Sequence, residues 1–167
     1  MDRTKLVSEL YASRLVAVVR SKSGDEALAL ARAVAEGGIK FVEITFSVPG
    51  ALDVIKELAA RKDIHVGAGT VLAPQQAERA IGVGAEFVVS PSLELNLISI
   101  CHMADVACFP GAATATEIVA APGKQATFAM WQMPIRLSSR EGETINSAPT
   151  PIARSACCGA STVPAPT

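Results

Sequence analysis

Short β-branched runs alternate with helical segments five times along this chain, and this alternation constrains the fold more than any other feature. The runs begin near residues 15, 39, 64, 86 and 105, and a segment with helical spacing follows each of them. Such an order requires a parallel sheet. The repeat of about 20 to 25 residues favours an α/β barrel, although a flavodoxin-like doubly wound sheet produces similar strings. The alternation alone leaves these two architectures open.

Local signals place several of the elements. Residues 4–13 carry apolar side chains at helical spacing, which predicts a short helix packed on a larger body. Residues 15–19 read as a short buried strand that ends at Arg20. Residues 23–26 and 114–117 each offer a capping box at the start of a helix.

Size and charge exclude several classes of protein. The chain has 167 residues, of which 50% are hydrophobic, and this is enough for one domain with a sizeable core. A net charge of −1 without a basic stripe argues against a nucleic-acid or anionic-membrane partner. No apolar run approaches the roughly 20 residues of a membrane span, and the first residues lead into an amphipathic segment rather than a signal core. These features predict a cytoplasmic protein.

Neither a metal nor a cofactor is expected. Cys101 and Cys108 lie in apolar segments and residues 157–158 form an adjacent pair, so all four cysteines are interpreted as reduced thiols. The two histidines stand apart from any cluster with metal-ligand spacing. Residues 67–69 contain two glycines, but the third glycine and the acidic residue of a dinucleotide-binding fingerprint are absent from their usual positions.

One strand-like run, residues 40–46, contains a carboxylate in its middle. Strand alternation places Phe41, Glu43 and Thr45 on one side, and both sides of the run are mostly apolar. Burying an unpaired ionised carboxylate costs several kcal/mol, so stability alone rarely places one there. Glu43 is therefore a candidate functional residue. The alternative, in which Glu43 lies near the strand end and reaches solvent, remains open at this point.

Other chemistry-bearing residues fall at the ends of the predicted strands. In parallel α/β folds, functional groups collect at the carboxyl ends of the strands. In a barrel these ends together form the mouth, and a site there would combine a cation, a carboxylate and hydroxyl or amide donors. Such a site would suit a small anionic substrate that undergoes proton transfer. In strand order, the candidates are Arg20, then Glu43 and Thr45, then Gly69 and Thr70, then Ser90 and Pro91, and finally Pro110 and Gly111.

The character of the chain changes after residue 121. Residues 122–167 hold six of the ten prolines and show neither strand alternation nor a sustained helical face. We therefore predict a barrel portion at residues 1–121 and a low-complexity, disordered tail at 122–167. A closed eight-unit barrel needs at least about 200 residues, so five units are too few. An out-of-frame, truncated or fused tail would explain this, and the sequence does not choose among the three.

Five motifs together resemble the KDPG/KHG aldolase family. They lie at residues 16–20, 42–46, 66–72, 89–91 and 109–117, in that family's order and spacing. The resemblance covers residues 1–121 and implies a (β/α)8 TIM barrel, usually a homotrimer. It implies a class I aldolase, a lyase of the Entner-Doudoroff pathway of carbohydrate metabolism. Such enzymes split 2-keto-3-deoxy-6-phosphogluconate or 4-hydroxy-2-oxoglutarate into pyruvate and an aldehyde.

The resemblance also implies roles for individual residues. Glu43 matches the general acid/base, and Thr70 matches the threonine that contacts the keto acid. Arg20 matches a strand-one arginine found in part of the family. Many members hold the pyruvyl carboxylate with an arginine at the position of Ser47, so Arg20 is expected to serve instead. The remaining expected substrate-binding residues are Pro91 and Gly111.

The Schiff-base lysine of the family has no counterpart at its expected position. In the family it lies on strand six, about thirteen residues after the glutamate matched by Glu117, and this falls near Met130. Lys124 lies six residues too early and is not expected to be the nucleophile. This chain is therefore predicted to form no adduct with pyruvate. The alternative to an aldolase is a non-catalytic module that binds a phosphate ligand or supports assembly, and the preferred sugar acid is left open.

Overall fold

Helices and parallel strands alternate along the chain in the computed structural model, which describes residues 2–123 and 130–131, with side chains for residues 2–121. In chain order the elements are α1 (Arg3–Ser13), β1 (Ala17–Val19), α2 (Gly24–Glu36), β2 (Phe41–Thr45), α3 (Ala51–Ala59), β3 (His65–Gly69), α4 (Pro74–Gly82), β4 (Phe87–Ser90), α5 (Leu95–Met103), β5 (Ala107–Ala112), α6 (Ala115–Gly123) and β6 (Met130–Trp131).

The strands follow one another across the sheet in the order β1-β2-β3-β4-β5-β6, and every neighbouring pair is parallel. A doubly wound sheet reverses its strand order at a switch point, whereas a barrel adds each strand beside the last. The predicted α/β barrel architecture with five βα units is therefore confirmed over this part of the chain. The short strand β6 is an addition that the sequence pattern did not predict.

The two faces of the sheet carry separate apolar clusters. Val42, Ile44 and Val66 lie in the larger cluster, which includes buried residues of α2 to α5. The opposite, inner face carries Phe41 and Phe87, which pack with Leu6 of α1. The predicted helix at residues 4–13 thus packs on a larger body, and it covers the inner face near the amino ends of the strands.

The first strand differs from its prediction. It spans only Ala17–Val19, and Leu15 and Val18 are each 52% exposed, so the prediction of a buried strand at residues 15–19 is wrong. Within the described sheet β1 pairs with β2 alone. A β-branched run does not distinguish an edge strand from a central one, because both need the same extended backbone.

Capping confirms two of the predicted helix starts. The Ser23 hydroxyl accepts a hydrogen bond from the Glu26 amide at 3.3 Å, at the start of α2. The Glu117 carboxylate accepts from the amides of Ala113 and Thr114, which begins α6. These bonds satisfy backbone donors that have no partner within the helix.

The cysteines and the tail are only partly covered by the residues that the structure describes. Cys101 and Cys108 are buried and form no disulfide, as expected, whereas residues 157–158 lie outside the described residues. Lys124 lies outside them too, as does the predicted tail, apart from the backbone of residues 122–123 and 130–131. No helix in the described part of the chain combines the length and apolar character needed to cross a membrane.

Candidate active site

Glu43 lies in the middle of β2 on the inner face of the sheet. It is opposite Val18 of β1 and Gly67 of β3, and only 8% of its surface is exposed, so the alternative in which it reaches solvent is wrong. Burial raises the pKa of Glu43 to about 7, and the positive charge of Arg20 offsets part of that rise. A carboxyl group with a pKa near neutrality can both donate and accept a proton at physiological pH.

The Glu43 carboxylate lies over the backbone of Gly69. A Cβ atom built on Gly69 would overlap this carboxylate. Gly69 pairs in register with Thr45, two residues further along β2 than Glu43, so the Glu43 side chain leans toward the carboxyl end of the sheet. Only glycine leaves this space open. Thr70 is the next residue along the chain.

Thr70 has a backbone conformation that is rare for its type. Its φ angle is 56°, in the left-handed region that β-branched residues seldom adopt. Hydrogen bonds hold the chain on both sides of it: the Phe46 amide donates to the Gly69 carbonyl at 2.8 Å, and the Val71 amide donates to the Val89 carbonyl at 3.1 Å. Backbone outliers that their surroundings enforce are concentrated at functional sites. Thr70 is thus placed by a rigid turn at the end of β3.

Arg20 follows β1 directly and is exposed, and its charge acts on Glu43. Beside it, the buried Thr45 hydroxyl donates to the Val19 carbonyl at 3.2 Å and also hydrogen-bonds the Ser47 hydroxyl at 2.8 Å. The strand alternation placed Thr45 on the same side as Glu43, but it gave no indication of this contact with β1.

Pro91 and Gly111 lie together at the ends of β4 and β5. A Cβ atom at Gly111 would overlap the Pro91 carbonyl, so the two backbones are in close contact. The Ser90 side chain is buried and its hydroxyl donates to the Ser92 carbonyl at 3.0 Å, which fixes the turn after β4. The structure thus brings two predicted binding residues into direct contact.

Met130 begins β6 and pairs in register with Gly111. The position at which the family pattern expects a lysine is thus on a strand next to β5. The pairing also aligns position 130 with the Pro91–Gly111 contact.

The predicted site residues come from consecutive strands. Arg20, Thr70 and Pro91 directly follow β1, β3 and β4, and Gly111 lies near the end of β5. Glu43 lies in the middle of β2, and its side chain leans toward the same end of the sheet. Thr45 and Gly69 were among the sequence candidates, but the sequence patterns gave no indication of the Thr45–Ser47 hydrogen bond or of the close approach of Glu43 to Gly69. Within the described ranges there is no group of three His, Cys, Asp or Glu side chains that could hold a metal ion.

Comparison with known proteins places the chain in a family. The family model for the KDPG and KHG aldolases matches residues 6–126. The chain belongs to the KDPG and KHG aldolase family. It is 40% identical over 106 residues to a 2-dehydro-3-deoxy-phosphogluconate aldolase of Treponema pallidum, covering 63% of this chain and 50% of that protein. It is 32% identical over 118 residues to a KHG/KDPG aldolase of Escherichia coli K12, covering 70% and 55%.

Solved structures of aldolases have the same fold as this family member. A 4-hydroxy-2-oxoglutarate/2-dehydro-3-deoxyphosphogluconate aldolase from TTHB1 matches with a TM-score of 0.64 and 35% identity, over 75% of this chain and 61% of that one. A KDPG aldolase of Legionella pneumophila, solved with pyruvate captured as a covalent carbinolamine, matches with a TM-score of 0.61 and 31% identity, over 65% and 53%. The chain spans about half the length of the curated relatives it matches.

Proposed function

We propose that this chain carries the 2-keto acid site of a class I aldolase, with Glu43 as the group that moves protons. The observation that carries the proposal is the buried Glu43 carboxyl, whose pKa is raised to about 7 and which feels the charge of Arg20 at the carboxyl ends of the strands. An acid/base group works best when its pKa lies near the operating pH. The substrate class follows from the relatives, which are named as aldolases of 2-keto-3-deoxy-6-phosphogluconate and 4-hydroxy-2-oxoglutarate.

Each group at the mouth has a role in this proposal. Arg20 binds the carboxylate of the keto acid, because a guanidinium matches a carboxylate in charge and shape. Thr70 binds the keto acid beside Glu43, and the turn at Pro91 with Gly111 forms the adjoining wall. In a class I aldolase with its lysine in place, the products of this site are pyruvate and an aldehyde. We include in the proposal the trimeric assembly that the resemblance implies, a cytoplasmic location and the division at residue 121.

The covalent step of class I aldolases requires an amine. A lysine amine adds to the keto carbon to form a carbinolamine, which loses water to form a Schiff base, and an acid/base group supplies and removes the protons. In the family pattern the lysine that supplies this amine belongs at about position 130, which is a methionine in this chain. We therefore expect the chain to bind pyruvate and to keep its acid/base group, but to stop before the covalent step.

The test is borohydride trapping in the presence of pyruvate, read by intact-protein mass spectrometry, with pyruvate binding followed separately by NMR. The native chain should bind pyruvate without a trapped adduct. The Met130→Lys variant should trap one pyruvate per chain, because position 130 pairs with Gly111 beside the site. Met103→Lys is the matched control, since Met103 lies on α5 and is 86% exposed, and it should trap none.

Three results would contradict the proposal or redirect it. Absence of pyruvate binding in both the native chain and Met130→Lys would refute the keto acid site. An adduct in the native chain would assign the nucleophile to another amine, which peptide mapping would identify. Binding without an adduct in Met130→Lys would favour the non-catalytic module instead.

A further inference from the structure

Thr45 forms a polar link between β2 and β1. It is the last residue of β2, its side chain is fully buried, and its hydroxyl lies 3.2 Å from the Val19 carbonyl and 2.8 Å from the Ser47 hydroxyl. A threonine hydroxyl has a single proton to donate. The Val19 carbonyl can only accept, so the Thr45 proton goes to Val19 and the Ser47 hydroxyl donates to Thr45. The result is an ordered chain of hydrogen bonds that ends on β1.

The strand that receives this bond is short and lies at the edge of the described sheet. β1 has three residues and pairs with β2 alone within the described sheet, and Val18 at its centre is half exposed. Short edge segments with few buried contacts open more easily than the rest of a structure. Val19, in contrast, is buried, and it directly precedes Arg20. The Thr45 bond therefore acts on the residue from which Arg20 extends.

We propose that Thr45 is a positioning residue whose hydroxyl holds the end of β1 and thereby fixes where Arg20 lies relative to the Glu43 carboxylate. An exposed arginine side chain is flexible, so its mean position depends on where its backbone is held. The residues opposite Glu43 on the two flanking strands, Val18 and Gly67, carry no charge. The effect of Arg20 on Glu43 thus depends on the position of β1. This inference deepens the proposed function and rests on it, because Arg20 and Glu43 are residues of that site.

The experiment follows the Glu43 carboxyl carbon by ¹³C NMR across the pH range in the full chain without substrate. Arg20→Gln should raise the midpoint, because the charge of Arg20 lowers the pKa of Glu43. Thr45→Val keeps the shape but removes the hydroxyl, so it should raise the midpoint in the same direction. The double variant should raise the midpoint no further than Arg20→Gln alone, since both changes remove one coupling, whereas a shift equal to the sum of the two would show independent effects. Thr45→Ser should restore the native midpoint.

Ser47→Ala is the matched control. It removes the other hydroxyl of the pair but leaves the bond from Thr45 to Val19, so the midpoint should stay at its native value. A Thr45→Val variant that loses stability while its Glu43 midpoint stays native would overturn the proposal, because that result describes a merely structural residue.

A second measurement applies if Thr45→Val fails to fold. In the native chain the Thr45 hydroxyl proton should exchange slowly and show a nuclear Overhauser contact to the α-proton of Arg20, because the Val19 carbonyl oxygen and the Arg20 Cα lie on the same side of a trans peptide. Rapid exchange without that contact would overturn the proposal. Neither measurement uses turnover or pyruvate. A negative result here consequently leaves the aldolase proposal standing, and failure of pyruvate binding leaves the role of Thr45 standing.

Discussion

The Glu43 carboxylate occupies the space in which a side chain at Gly69 would lie. This relationship joins two neighbouring strands of the barrel at the mouth where the candidate residues meet. It also makes the position of the Glu43 carboxylate depend on the absence of a side chain at this point of β3. Packed interiors tolerate added atoms poorly, so the effect of filling this space can be measured.

Gly69→Ala should therefore displace Glu43 and destabilise the fold by about 1–3 kcal/mol, the usual cost of overpacking. Urea denaturation measures the change in free energy of unfolding. In a Glu43→Ala background the same substitution should cost less, because the overlapping carboxylate is gone. Gly82→Ala is the control, since nothing lies within 4 Å of a Cβ there, and it should be neutral or slightly stabilising. Equal costs of Gly69→Ala in both backgrounds would argue against the overlap.

Glu43→Gln should stabilise the chain in a pH-dependent manner. The pKa of Glu43 is raised from 4.5 to about 7, so between these values the unfolded chain loses its proton while the folded chain keeps it. The free energy of unfolding of the native chain, measured relative to that of Glu43→Gln, is therefore highest below pH 4.5. It falls as the pH rises to about 7, by up to about 3 kcal/mol in total, so the variant gains relative stability over this range. Urea denaturation of both proteins at several pH values measures this difference. A constant difference from acid to neutral pH would show that the native carboxyl is not perturbed.

His65 links α1 to the sheet at the opposite end of the strands. Its ring nitrogens lie 3.0 Å from the carboxylates of Glu9 and Glu86, and its ring lies 4.7 Å from that of Phe41. Glu9→Ala should lower the free energy of unfolding by about 1 kcal/mol, because it removes a partly buried charged contact. Lys5→Ala, on the same helix, removes only an exposed ion pair 3.9 Å long and should change stability by less than about 0.5 kcal/mol. Indistinguishable effects would mean that the His65 contact contributes little.

Much of the site could be predicted because it follows from local periodicity. Strand alternation placed Glu43 on one face of a strand covered on both sides, and the order of strands and helices placed Arg20, Thr70 and Pro91 at the same edge of a parallel sheet. Capping residues likewise marked the beginnings of α2 and α6. These signals act over a few residues and require no knowledge of distant partners.

The remainder depends on contacts between residues far apart in the sequence. Thr45 reaches a carbonyl 26 residues away and His65 reaches a carboxylate 56 residues away, and no local pattern encodes either pairing. The exposure of Val18 depends on which strands flank β1, which a β-branched run does not reveal. Residue patterns did not predict strand β6, because the sequence around Met130 shows no alternation, and only the family resemblance placed a strand there.

The central claim is that Glu43 is a buried acid/base group poised near neutrality. Titration of its carboxyl carbon by ¹³C NMR in the native chain, with Glu43→Gln to assign the signal, tests this claim most directly. The expected midpoint is about pH 7, raised by burial and limited by the charge of Arg20. A midpoint at the ordinary glutamate value of 4.5 would contradict it.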